Sequence, residues 1–93
     1  MNQAILFSDN ERYNAALKQI EFKAQCEGAL ITCIISLKHL FQMNNVVDTH
    51  QHDDQEAILT LFDAVRFDIE EIAEEMIQNQ HFHQDGNIYL TVL

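Results

Sequence analysis

Two His-x-His pairs carry the side chains best suited to holding a metal. They are His50-Gln51-His52, followed by Asp53 and Asp54, and His81-Phe82-His83, followed by Asp85. Imidazole combined with carboxylate suits zinc, nickel or copper. Each pair alone is short of ligands, and only His39 or a second subunit could complete it. The pairs also flank opposite ends of a predicted helix roughly 40 Å long, so they cannot meet within one molecule. Solvated loop histidines are the plainer reading of all four. Glu70-Glu71 and Glu74-Glu75 repeat carboxylates at a four-residue spacing. Paired acids do general acid–base work only in a cleft that raises a pKa, whereas a charge run opposite an apolar stripe is a solvated face.

The two cysteines, Cys26 and Cys33, fall on one face of a predicted hairpin. They sit roughly 13 Å apart at strand rise, too far for a disulfide. Small packing residues are the plain reading, and a redox or nucleophilic role is the sharper one. No Gly-rich phosphate loop, nucleophile elbow or Cys-x-x-Cys occurs. The sequence predicts no enzyme and implies no cofactor.

The element that would position most of these groups is a helix over residues 53–80. Ile58, Phe62, Val65, Ile69, Ile72 and Met76 alternate in fours and threes, which puts them on one stripe, widened by Leu59, Leu61, Ala73 and Ile77. Asp53 or Asp54 can cap its first turn, and neither Gly nor Pro interrupts it. Phe67 breaks the pattern, falling opposite the stripe among Glu56, Asp63, Glu70, Glu71, Glu74 and Glu75. It is either an ordinary exposed aromatic or an anchor for a partner, with Glu70, Glu71 and Glu74 as its charged surround. Arg66, the one basic residue of the segment, is within reach of Asp63 and Glu70 at three- and four-residue spacings.

Ahead of the helix, residues 4–7 suit a short strand, and Ser8-Asp9-Asn10-Glu11 has capping-box spacing, which predicts a helical turn around 10–14. Residues 19–26 alternate polar and apolar, Glu27-Gly28 offers a two-residue turn, and residues 29–35 return. A tight turn there pairs residues whose numbers sum to 55, placing Ile20, Phe22, Ala24, Ile31, Cys33 and Ile35 on one apolar face. Ser36 can cap a short helix over 37–43, with Leu37, Leu40 and Phe41 inward, and residues 88–93 suit a final strand. Strands and helices do not alternate regularly. The expected fold is α+β, a single domain over 1–93, with a mainly antiparallel sheet of about four strands and the long helix packed on one face.

The chain has a formal charge of −10, and nine of its fifteen acidic residues lie in the helix segment. The five basic residues, Arg12, Lys18, Lys23, Lys38 and Arg66, are scattered. Such a field repels phosphate backbones and anionic membranes, which argues against direct nucleic-acid or membrane binding. The N-terminal stretch lacks the charged and apolar regions of a signal peptide, and no segment approaches the length of a membrane span. A cytoplasmic protein with reduced thiols is expected.

The opening AILFSD, the Gly28 hairpin leading into ITCIIS, and a helix reading LF-x4-FDIEEIAEEMI resemble the bacterial domain-of-unknown-function family 1488, small YrdB-like proteins. The resemblance spans essentially the whole chain, and DIEEIAEEMI is its most specific part. The chain departs from the family at Ser8, where a proline is expected, and in the connector with His50 and His52. What the resemblance implies is a compact α+β domain with no established activity. It supplies no catalytic residues, and it implies gene neighbourhood with shikimate dehydrogenase and hence a regulatory link. The leading expectation is a non-enzymatic interaction or regulatory protein, able to dimerise, with Phe67, Glu70, Glu71 and Glu74 at its contact surface. One alternative is a metal or small-ligand binding module using His50 and His52. Another is a transcription-linked regulator acting through a protein partner.

Overall fold

Alternation of period two between residues 19 and 36 builds the centre of the structure. A computed structural model describes residues 4–47 and 54–91. Strands β1 (Ile5–Phe7), β2 (Arg12–Asn14), β3 (Gln19–Cys26) and β4 (Ala29–Ser36) are followed by helices α1 (Leu37–Met43), α2 (Gln55–Ala64) and α3 (Arg66–Gln78), then β5 (Ile88–Tyr89). β3 and β4 pair antiparallel with Cys26 opposite Ala29, Ala24 opposite Ile31, Phe22 opposite Cys33 and Ile20 opposite Ile35. Glu27 and Gly28 connect them at φ 52° and 82°, both left-handed, as a turn matched to strand twist requires. The inward residues Ile20, Phe22, Ala24, Ile31, Cys33 and Ile35 are all buried. Each large one contributes about 1.5–3 kcal/mol by leaving water.

β1 and β2 both lie along the free side of β3. Phe7 pairs with Ala24 and Arg12 with Glu21, so residues 8–11 oppose only Phe22 and Lys23 and the chain bulges between the two strands. The helical turn predicted around 10–14 is therefore strand instead. Ser8 donates its hydroxyl to Asn10 Oδ1 at 2.9 Å, and Asn14 Oδ1 accepts the Leu17 N–H at 3.1 Å, closing the turn into β3. Glu11, which a capping box would send back to its own turn, is drawn to Arg66 at 2.9 Å. β5 joins the other edge in parallel, with Cys33 opposite Ile88 and Ile34 opposite Tyr89. The sheet has five strands where about four were expected, and its pairing is mainly antiparallel.

α1 begins where its sequence says it should. Ser36 Oγ accepts the His39 N–H at 3.1 Å, and Leu40 and Phe41 are buried while Leu37 is half-buried. Asp54 caps α2 by accepting the Ala57 N–H at 2.7 Å. The expected single rod over 53–80 is two helices meeting at Val65, where φ is −120° and ψ 22°. The break has a side-chain cause. Val65 N–H bonds to Phe62 O at 3.2 Å, three residues back, while Leu61 O accepts Asn44 Nδ2 at 3.2 Å. Asn44, the C-cap of α1, also donates to Leu40 O at 3.0 Å, so one amide joins two helix ends. The break re-aims α3. Its buried residues are Ile69, Ala73 and Ile77, and the expected stripe members Ile72 and Met76 are only half-buried.

The helices cover one face of the sheet. Phe62 meets Phe22 edge-on at 5.4 Å between ring centroids, and Ile58, Ile69, Ala73 and Ile77 fill the same core with Ile88 and Leu90. A side chain at Gly28 would meet nothing within 4 Å, so any cost of replacing it is conformational. Gly28→Ala is expected to lower stability by about 1 kcal/mol, the cost of holding alanine left-handed. Urea denaturation measures it, and an unchanged midpoint would mean the turn has relaxed to another type.

Candidate functional site

Arg66 is the first residue of α3, and the break aims its side chain over the Phe62 ring, 5.1 Å from the centroid. Nη2 lies 2.9 Å from Glu11 Oε2 and Nε 2.9 Å from Asp63 Oδ1, with Nη1 3.6 Å from Asp9 and 4.0 Å from Glu70. Helical spacing foretold Asp63 and Glu70. Asp9 and Glu11 come from the bulge more than fifty residues earlier, and only their acidity next to a strand hinted at them. Of the four, Glu11 matters most, because its side chain and that of Arg66 are 16% and 17% exposed, whereas Asp9 and Asp63 sit in water and are screened.

The electrostatics follow from that packing. The Glu11 hydrogen bond is the main influence holding the Arg66 guanidinium above its ordinary pKa, with Asp63 adding to it. Burial pushes Glu70 up, against the pull of Arg66 and with reinforcement from Asp9 and Glu11. Glu11 Oε1 is buried and accepts no hydrogen bond. A polar atom in that state costs about 1–3 kcal/mol, more when charged.

Beside this cluster runs an open groove of about 600 Å³ lined by Gln55, Glu56, Leu59, Thr60 and Asp63 of α2, with Glu11 and Arg66. Glu56, Leu59, Thr60 and Asp63 follow the three- and four-residue spacing of one helix face. That face is adjacent to the buried one holding Ile58 and Phe62. Thr60 spends its hydroxyl on Glu56 O at 2.8 Å, one turn back along the helix.

The residues singled out from the sequence are dispersed. Phe67 is 82% exposed, Glu71 and Glu74 are exposed beside it on α3, and Glu70 is turned toward Arg66. His50 and His52 lie outside the described residues. His81 and His83 are both exposed. His83 stacks edge-on against Tyr89 at 4.9 Å, and its Nδ1 is 3.8 Å from Asp85. Tyr89 donates to Asp85 Oδ2 at 2.6 Å, and the Asn87 N–H donates to Oδ1 at 2.8 Å. The Tyr89 hydrogen bond holds Asp85 below the usual carboxylate range, and the same bond raises the Tyr89 phenol. This is the chemistry of a locked turn. Among the described residues, no group of three or more His, Cys, Asp or Glu side chains converges as metal ligands would. Burial pushes the Cys33 thiol up to about 12, which leaves it a packing residue at neutral pH.

Residues 5–90 match the family described as protein of unknown function, DUF1488. The chain is 36% identical over 90 residues to the uncharacterized protein YrdB of Escherichia coli (strain K12), covering 97% of this chain and 99% of that one. Identity to the YrdB of Shigella flexneri is 34% over the same coverage. A crystal structure of a DUF1488-family protein of unknown function from Shewanella loihica PV-4 matches with a TM-score of 0.85 and 35% identity. It covers 97% of this chain and 94% of that one. The resemblance carried by AILFSD and FDIEEIAEEMI is borne out, as is the α+β class. Among the described residues, no helix is long and apolar enough to cross a membrane.

Arg66→Ala should cost about 2 kcal/mol, between the values typical of exposed and buried pairs, because Glu11 is left shielded without its cation. Urea unfolding of the single variants and of Arg66→Ala with Glu11→Gln tests this; additive losses would deny the coupling. At the turn, a depressed Asp85 favours the folded form above the ordinary Asp pKa, and the benefit is lost as pH falls. A raised Tyr89 favours it below about pH 10, and that benefit is lost as pH rises through the raised value. Asp85→Asn should therefore move the Tyr89 titration down toward about 10, read by absorbance near 295 nm with Tyr89→Phe as the subtraction control.

Proposed function

The chain belongs to the DUF1488 family of proteins of unknown function, and from that premise we propose a non-enzymatic interaction protein with a regulatory role, acting through its surface. The observation that carries the proposal is Phe67, a large aromatic 82% exposed at the start of a helix whose neighbouring positions are carboxylates. An aromatic ringed by charged residues has the composition of a contact centre with a polar rim. The charge of −10 favours a partner that presents positive charge and speeds its encounter. A role in transcription would, on the same grounds, run through a protein partner rather than through DNA. Residence in the cytoplasm is part of this proposal.

The test is retention of protein from a native bacterial lysate by the immobilised chain, with mass spectrometry, repeated with Phe67→Ala. At least one species held by the original chain should be lost with the variant, since truncating an aromatic anchor costs about 2 kcal/mol or more. Light scattering separates a second copy of the chain from a foreign partner. A strict monomer that retains nothing overturns the proposal.

A further inference from the structure

We propose that the uncovered face of the sheet is where two copies of this chain meet, face to face about a two-fold axis. The proposal rests on the surface-contact reading above only in requiring contact through a surface; it names a different surface and a second copy as the occupant. Strand pairing fixes which side chains share that face. Leu6 and Leu30 both stand opposite Gln25, while Arg12, Glu21, Ile34 and Tyr89 form one row across four strands. These side chains point away from the helices, because alternate positions such as Phe22, Ala24, Ile31 and Cys33 fill the core. Leu6 and Leu30 are 63% and 73% exposed, and Tyr89 37%. Ile34 is buried yet stands outside the core cluster that the helices cover. The face therefore has an apolar part of its own, and no described element covers Leu6 or Leu30.

Charge selects the occupant. The outward strand positions hold two cations, Arg12 and Lys23, and one carboxylate, Glu21, a net charge of +1 on a chain of −10. The two long helices with their cap Asp54 hold eight carboxylates against Arg66 alone. Lys23 is half-buried and donates to the neutral Thr32 hydroxyl at 2.6 Å, a weaker partner for an ammonium than a carboxylate. A two-fold axis can bring Glu21 of one copy to a cation of the other, the self-complementary pattern of an isologous contact. Meeting through this face also turns the two acidic helical layers outward. At about 10 Å per layer they stand roughly 30 Å apart, several times the Debye length of about 8 Å at physiological ionic strength. A contact through α3 would instead press carboxylates together. Four strand lanes, with β1 and β2 sharing one, and eight residues of length give a footprint of about 500 Å² per copy. The total of about 1,000 Å² is the lower bound for a specific interface, which suits a weak, reversible dimer.

The experiment is sedimentation velocity with multi-angle light scattering on the intact chain, from about 1 μM to about 1 mM at about 150 mM salt. The mass should rise from one chain to two and stop there. Leu30→Glu and, on a different strand, Leu6→Glu should each weaken dimerisation about tenfold or more. Phe67→Glu adds the same charge to the opposite layer and should weaken it less than about threefold. Both leucines are exposed, and circular dichroism with urea midpoints checks that each variant folds. Leu30→Ser, which leaves the net charge unchanged, should weaken dimerisation about threefold or more. A chain that stays monomeric to about 1 mM overturns the proposal. So does growth past two copies, the mark of this face meeting the helices of the next copy in a contact that never closes. Equal weakening by Phe67→Glu and the leucine variants would mean repulsion of net charge and overturn it as well. Dimerisation lost in Phe67→Glu but kept in both leucine variants would remove this face and leave the surface-contact reading intact, with α3 as the contact. A dimer broken by the leucine variants, in a chain that retains nothing from lysate, supports this face and removes Phe67 as the anchor.

Discussion

One guanidinium joins the two halves of this chain. Arg66 sits where the helical segment breaks, and its hydrogen bond to Glu11 reaches back to the bulge between the first two strands. Without the break, Arg66 would lie farther round the helix, at the edge of a continuous apolar stripe. Without the bulge, residues 8–11 would run along the edge of β3 and Glu11 would have no reason to leave it. The ion pair thus depends on two irregularities that no single element explains. Phe62 completes the arrangement, with one edge in the core against Phe22 and its face under the guanidinium.

Much of the fold was legible because its signals are local. The hairpin follows from period two, a two-residue turn with Gly28, and an apolar set that only one register keeps on one face. Ser36 and the Asp53-Asp54 pair announced their helices because an N-cap acts on N–H groups only two or three residues ahead of it, and Asp54 is the one of the pair that caps α2. The break at Val65 was not legible, since the usual breakers are absent and its cause is the Asn44 amide arriving from α1 to take Leu61 O. The strand at Arg12–Asn14 was missed because capping-box spacing competes with it, and the contest is settled by Arg66 recruiting Glu11 from across the molecule. In both places a side chain distant in sequence overrode a local preference. The same holds for the groove, whose α2 wall has a readable spacing but whose opposite wall does not.

The acidic surface divides into two kinds. On α3, Glu71, Glu74 and Glu75 are exposed, and charges in that setting are individually weak. Around Arg66 the carboxylates are crowded enough that Glu70 is raised by burial despite its cationic neighbour. A residue count treats these charges alike, although only the second group has the shielding that lets geometry matter.

The parallel strand β5 also bears on how the molecule assembles. The β3–β4 ribbon closes through two residues and belongs to the class of hairpins that form within about 1–10 μs. Cys33 meets Ile88 only after a stretch containing all three helices has been gathered in, and longer closure delays pairing. Until then the free edge of β4 presents unpaired backbone in a strand that carries Leu30, Ile31, Ile34 and Ile35. That interval is when a crowded population of nascent copies is most exposed to joining edge to edge, and the brevity of β5 makes it a late gatekeeper.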